Sequence, residues 1–480
     1  MKTYRRGLAF ASAVVLLMAL TVGPVAAQNG GVVHEVYPTG DPTQDVQNIQ
    51  AAIDNADDGD TILLKAGTFD FGDWKTNPIP GGQVMINKGV TVKGEGFDPQ
   101  GNPRTIIHGG GYRQKGHWEY GERGVFAFTG NTSGGVLEDL WLREPHFLAV
   151  NTNGSMGHNH RSFTIRNLKI TDISHDIPGW DPNLSVGRSM SFGFNVPEWG
   201  FGGPSGTVIV EGCDISHMGS TIDLDYINPD TGTLYYRGSD GGDLASHDSR
   251  GINFYISTTG SFVIRNNTIR AQSAGIVNEA MGGTGDIIVT GNDIYVENVG
   301  LLKPYRRGYQ LEGLAPFFPP VPFARTVRIE NNNIHVVGDP DEGFTAGMLI
   351  GTDVGTPGYS GKVTVENNTI VMENGNGAMI LGADRGPAWV SALNGAVIRN
   401  NCIRGTARYG MLSVVGAKYC NIWGNNLATF EPSVAHIGLY TPATHDNMVR
   451  GYSGVVDVAD GAYNNYITGY TPMSPHAAIP

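Results

Sequence analysis

Cysteine is scarce in this 480-residue chain: Cys213, Cys402 and Cys420 are too few for a disulfide framework. They are expected as small buried hydrophobes, a Cys402–Cys420 bridge being the alternative. Charge is sparse as well, at 16%, and basic residues are the scarcer kind, 32 against 45 acidic for a net charge of -13. That balance excludes a general nucleic-acid or anionic-membrane binder, and a polyanionic partner would need a local basic patch. Long apolar runs are missing except over residues 8–22. Lys2, Arg5 and Arg6 precede that run and the small residues Val25-Ala26-Ala27 follow it, so residues 1–27 read as a secretory signal peptide. The mature chain, 28–480, is expected to be secreted (extracellular, periplasmic or cell-surface), without a transmembrane segment and monomeric.

Glycine is abundant, with 69 residues, which suits tight turns between short buried strands. A pattern of alternating aliphatics followed by Asn-Asn or Gly-Asn recurs along the chain. Examples are Phe262-Val-Ile-Arg-Asn-Asn-Thr-Ile269, Ile287-Ile-Val-Thr-Gly-Asn-Asp-Ile294, Val327-Arg-Ile-Glu-Asn-Asn-Asn-Ile334 and Val363-Thr-Val-Glu-Asn-Asn-Thr-Ile370. Each copy reads as strand, bend, strand. Aligning the copies gives one column of Asn267, Asn292, Asn332, Asn368, Asn401 and Asn425, with Asn447 and Asn465 as continuations. Leu140, Leu168 and Cys213 hold that place earlier, so the column points inward and its amides must satisfy one another. Stacked strands lie about 4.8 Å apart, the spacing at which identical amides form ladders. Between copies lies a glycine-opened third strand, as in Gly251-Ile-Asn-Phe-Tyr-Ile256, Gly275-Ile-Val-Asn-Glu279 and Gly308-Tyr-Gln-Leu-Glu312. Three strands per coil build three parallel sheets in an all-β solenoid. Asp41-Pro42-Thr43-Gln44 reads as a helix start, with Asp41 as cap and Gln44 reaching back. The expected division is a cap over 28–60, coils over 61–468 and a tail over 469–480.

These features resemble the pectate-lyase-like, right-handed parallel β-helix superfamily over nearly all of the mature chain. The resemblance implies a single-stranded right-handed parallel β-helix with an inward asparagine ladder and an N-terminal capping helix. It also implies a polysaccharide site on the outer face of the first, glycine-opened strands. Activity is not implied, because lyases, hydrolases, epimerases, esterases and adhesins share the scaffold. No counterpart of the pectate-lyase Arg-x-Pro-x-x-Arg segment or of the polygalacturonase paired-Asp and Gly-His-Gly set occurs. Residues 49–96 are similar to the start of pectin methylesterases but lack their catalytic Gln and Asp motifs. Ser246-His247-Asp248 echoes only part of the Asp-Pro-His-Asp of alginate epimerases.

The 54-residue interval from Cys213 to Asn267 marks an insertion, in which residues 221–236 suggest a projecting hairpin. It leads into His247, Asp248 and Arg250, and the next coils add Glu279, Lys303, Arg306, Arg307, Gln310 and Glu312. Elimination or epimerisation beside a uronate carboxylate needs a base for the C5 proton, a cation for the enolate and an acid. His247 suits base or acid; Arg250, Arg306 and Arg307 suit the carboxylate; Asp248 and Glu279 suit orienting a base or holding calcium. Tyr255 offers sugar stacking or a phenolic acid, and Lys303, Gln310 and Glu312 are candidate substrate contacts. Against this stands the ordinary reading of each as a surface side chain bridging rungs. A lyase or epimerase on uronate-containing glycans is the leading expectation. A non-catalytic glycan-binding solenoid and a glycoside hydrolase using Glu279 and Glu312 are the alternatives. Weaker candidates are His158, His160, Arg161, His175, Asp176, Trp180, Trp199, Phe317 and Phe318.

Overall fold

The computed structural model describes residues 31–71, 83–109, 124–129, 133–145, 148–152, 162–171, 188–192, 206–216, 250–256, 260–271, 274–280, 285–297, 306–312, 326–338, 345–351, 363–382, 393–429, 437–440, 444–450, 455–458, 461–468 and 471–472. The expected signal peptide, residues 1–27, lies outside them. Among the described residues, parallel strands stack into three sheets of 13, 14 and 11 strands, and the chain winds as a right-handed parallel β-helix. Sheet 1 holds the glycine-opened strands, sheet 2 the strands before the asparagine bend and sheet 3 the short strands after it. One coil runs from Arg250–Ile256 in sheet 1 through Ser261–Arg265 in sheet 2 to Thr268–Ala271 in sheet 3. Inward aliphatics and phenylalanines fill the lumen, with Phe128 stacked on Phe163 at 4.2 Å and Phe254 on Phe262 at 4.9 Å.

The two halves of the Asn-Asn or Gly-Asn pair do different work. The first residue turns the corner in the left-handed region: Asn266 has φ 56°, Gly291 66°, Asn331 57°, Asn367 56°, Asn400 55° and Gly424 67°. Asparagine and glycine adopt that conformation at the least steric cost. The second residue is the ladder. Asn267, Asn292, Asn332, Asn368 and Asn401 each donate from Nδ2 to the Oδ1 of the next, ending on Asn425, at 2.9 Å throughout. Each Oδ1 also accepts a backbone N–H, as Asn332 Oδ1 does from Asn292 at 3.1 Å, and each Nδ2 also reaches a carbonyl, as Asn332 does Val289 at 2.9 Å. Every carboxamide of this ladder from Asn267 to Asn401 is therefore paired on both its nitrogen and its oxygen.

Asn447 and Asn465 do not continue this column. Strand register sets Asn421 opposite Met448 and Met448 opposite Tyr466, which stacks Asn447 over Cys420 where the chain enters sheet 2. Cys420 donates its N–H to Asn447 Oδ1 at 2.9 Å, and Asn447 Nδ2 donates to Asn465 Oδ1 at 2.9 Å. The residues before them, Tyr419, Asp446 and Asn464, have φ of 56°, 56° and 53°. The same bend thus serves two corners at opposite ends of a three-residue strand, and the repeat offset alone does not distinguish them.

Glycines open the sheet 1 strands because the coil closes tightly there. A Cβ on Gly308 would lie 2.2 Å from Ile334 Cγ2 and 2.6 Å from the Gly347 carbonyl, and Gly251, Gly275 and Gly347 are similarly crowded. At the N-terminal end, helix Pro42–Asn55 buries Val46, Ile49 and Ile53 against the first coils. Asp41 caps it by accepting the N–H groups of Thr43 and Gln44 at 2.9 and 3.0 Å. Gln44 does not reach back as expected, because the Asp41 N–H already donates to Thr39 Oγ1 at 3.1 Å. Strands Val33–Val36 and Thr471–Pro472 join sheets 2 and 1, so pairing extends into the segments assigned to cap and tail. The three cysteines are free, and the Cys402–Cys420 alternative fails because the two residues occupy different corners of the coil. Burial pushes the Cys213 and Cys420 thiols up to about 12 and 11. No helix among the described residues is long and apolar enough to cross a membrane.

Candidate functional site

The outer face of sheet 1 is fixed by one strand. In Arg250–Ile256, Ile252 and Phe254 enter the lumen, while Arg250 Nη1 donates to Asn253 Oδ1 at 2.6 Å on the opposite face. Arg250 is 8% exposed and Asn253 0%, yet Asn253 Nδ2 has no hydrogen-bond partner. An unpaired buried donor costs about 1–3 kcal/mol.

Register then organises the neighbours into columns about 4.8 Å per rung. Arg188, Arg250, Ala274 and Arg307 share one column. Ser191, Asn253, Val277 and Gln310 share a second, and Tyr255, Glu279 and Glu312 a third. Arg306 pairs with Thr345 on the next strand. Seven of the ten predicted residues are thus strand residues of three consecutive sheet 1 strands; His247, Asp248 and Lys303 lie outside the described residues.

The columns also correct the expected single cluster. Arg250 and Glu279 are not adjacent: five positions along the strand separate their columns, roughly 16 Å at about 3.3 Å per residue. Tyr255 belongs with Glu279 rather than with Arg250. Asn253, absent from the expected set, lies between the two ends. Its position between Ile252 and Phe254 is the alternation signal that identifies it as outward. A further polar residue breaks that alternation. Asn278 shares its register with inward Phe254, is 0% exposed, and has neither Nδ2 nor Oδ1 paired.

Sheet 2 carries charge of another kind. Its outer column pairs Lys93 with Glu138 at 3.0 Å, Arg166 with Glu138, Arg265 with Glu211 at 2.5 Å and Arg399 with Glu366. Hydrogen bonds that the Lys93 ammonium donates to Asp139 and Glu138 hold it above its ordinary range, and Glu138 does the same for Arg166. These groups staple rungs together, the ordinary role weighed above for charged residues on a solenoid. Among the described residues no three or more His, Cys, Asp and Glu side chains are grouped to hold a metal ion. The 221–236 hairpin and the weaker candidates, His158, His160, Arg161, His175, Asp176, Trp180, Trp199, Phe317 and Phe318, lie outside the described residues.

No protein-family model matches the chain, and no curated protein matches it in sequence. Solved structures do. A polygalacturonase from Erwinia carotovora ssp. carotovora is 11% identical with a TM-score of 0.45, covering 94% of this chain and 100% of that one. The A-module of a mannuronan C-5 epimerase from Azotobacter vinelandii is 13% identical with a TM-score of 0.36, covering 90% and 95%. An alginate lyase from Paenibacillus sp. is 12% identical with a TM-score of 0.35, covering 84% and 97%. At these identities the likeness is one of architecture and assigns no family.

Proposed function

We propose that the mature chain is a secreted polysaccharide-active enzyme, a lyase or epimerase acting on uronate-containing glycans along the outer face of sheet 1. The observation that carries this reading is the register that sets Arg188, Arg250 and Arg307 along one edge of a strip and Tyr255, Glu279 and Glu312 along the other. A repeating row of guanidinium groups suits a polymer whose units each carry a carboxylate. In this reading Arg250 and Arg307 neutralise the uronate carboxylate, lowering the barrier to removing the C5 proton. The unpaired Asn253 Nδ2 donates to a substrate oxygen between the two edges. His247, three residues before Arg250, is the base or acid beside that carboxylate, while Tyr255 and Glu279 at the far edge hold an adjoining part of the glycan. Glu279 and Glu312, in register on consecutive strands, hold a divalent cation such as calcium in this reading. Secretion rests on residues 1–27 as a cleaved signal peptide.

A second reading, a glycoside hydrolase, is favoured by that same Glu279–Glu312 register pair, since retaining and inverting enzymes both work through a pair of carboxyl residues. The test is turnover of pectate, alginate and glycosaminoglycans by the mature protein, with and without calcium. Unsaturated ends indicate a lyase, C5 exchange into deuterated solvent without cleavage an epimerase, and new reducing ends without unsaturation the hydrolase. No turnover on any of them overturns the proposal. Glycan binding unaffected by His247→Ala and Arg250→Ala would instead favour a non-catalytic binder.

A further inference from the structure

The outer column of sheet 2 changes character near the C-terminal end. Arg166, Arg265 and Arg399 each pair with a glutamate one rung toward the N-terminus. Register continues the column from Arg399 to Trp423 and then Arg450, so the rung that would hold Arg450's glutamate holds tryptophan instead. Arg450 is exposed and has no carboxylate partner among the described residues. The Arg399 guanidinium lies 5.5 Å from the centroid of the Trp423 ring. Beside them opens a cleft of about 560 Å³ lined by Asn421, Trp423, Gly424 and Arg450. Asn421 Oδ1 is buried and accepts no hydrogen bond.

We infer that this cleft is a second, non-catalytic binding site for an acidic sugar unit. Each wall group asks for one part of such a ligand. Arg450 lacks the carboxylate that the other paired arginines of its column possess, and an anionic substituent would complete the pattern. Trp423 offers a flat apolar surface to the C–H face of a sugar ring. Asn421 Oδ1, a buried acceptor without a donor, takes a ring hydroxyl. A phosphate or a free carboxylic acid would satisfy Arg450 but leave the tryptophan and the carboxamide unused. The site lies on a different sheet from the sheet 1 strip and stands whether or not that strip is catalytic. For a polymeric ligand, a second attachment raises the effective concentration of chain at the first.

The test is calorimetric titration of the full mature protein with an oligogalacturonate, an oligoalginate and a neutral oligosaccharide of equal length. It is repeated in Arg450→Gln, in Trp423→Ala and Trp423→Phe, and in Arg250→Gln, with melting curves to verify folding. An acidic oligosaccharide is expected to bind a site that survives Arg250→Gln, weakens about tenfold or more in Arg450→Gln and Trp423→Ala, and is partly restored by Trp423→Phe. Salt should weaken it. Equal binding by wild type and the Arg450 and Trp423 variants overturns the assignment, as does neutral oligosaccharide bound as tightly as acidic, or no binding of either. Turnover lost only in Arg250→Gln, with calorimetry unchanged, bears on sheet 1 alone and keeps the two sites distinguishable.

Discussion

At the scale of single residues, the polar groups that lack partners carry the most information. Asn253 and Asn421 lie toward outer faces, where a ligand can supply what the protein does not. Asn278 is different, because its register is that of Phe254 and Leu311 and its whole carboxamide is orphaned inside the lumen. Replacing it by leucine removes two unsatisfied groups at about 1–3 kcal/mol each. Asn278→Leu should therefore raise the urea midpoint, by about 2 kcal/mol of stability, and leave turnover unchanged. A destabilised variant would show that the carboxamide has a partner and that the site extends through the sheet. Alternation offers the signal for Asn253, which falls between two inward residues, but the charged residues around it drew the sequence reading instead. The anomaly at Asn278 shows only once the register sets it beside Phe254. What alternation could not supply was distance along the strand. Arg250 and Glu279 therefore appeared as one cluster when they stand at opposite edges of a strip.

At the scale of elements, the ladder is the clearest case of sequence becoming structure. Asparagine or glycine turns the corner and the following asparagine satisfies the backbone that the turn frees. Asn332→Leu tests it. Leucine already fits this position at Leu140 and Leu168, so its shape is tolerated and the loss is of hydrogen bonds. The Asn292 N–H and the Val289 carbonyl would lose their partner, costing roughly 2–4 kcal/mol. Stability equal to wild type would contradict the role. The second ladder through Asn447 and Asn465 was misassigned because an identical bend precedes and follows a strand only three residues long. The N-terminal coils have a pH dependence of their own. A hydrogen bond from His34, then the N–H groups of Asp57 and Val32, hold the Asp60 carboxyl below its ordinary value of 3.8. Glu95 is lowered by Lys65 and the Ala66 N–H. A carboxyl lowered in the folded state contributes stability that is fully present above its unfolded pKa and is lost as pH falls through the folded one. On acidification below about pH 4, hydrogen-exchange protection should disappear at the Val32 and Ala66 amides before it does at Asn332 and Asn368. Simultaneous loss at both places would contradict this order.

At the scale of the whole molecule, a net charge of -13 repels acidic glycans, and attraction must be local. Sheet 2 arginines mostly pair with rung-to-rung glutamates, and the register places Arg188, Arg250 and Arg307 in one column on sheet 1. The solenoid was legible because every coil repeats the same corner and the same glycine closure, giving several independent copies of one signal. The site was legible only as far as strands reach. Segments between the repeats follow no period, and His247, Asp248 and Lys303 lie outside the described residues. We propose that sheet 1 across these coils is the glycan face. It is tested most directly by a crystal structure of Glu279→Gln soaked with an acidic oligosaccharide. The sugar should lie across strands Arg188–Phe192, Arg250–Ile256, Ala274–Ala280 and Arg306–Glu312, with a carboxylate on the arginine column and an oxygen on Asn253 Nδ2. Saturating ligand that leaves this face bare, or that binds only elsewhere on the helix, would contradict it.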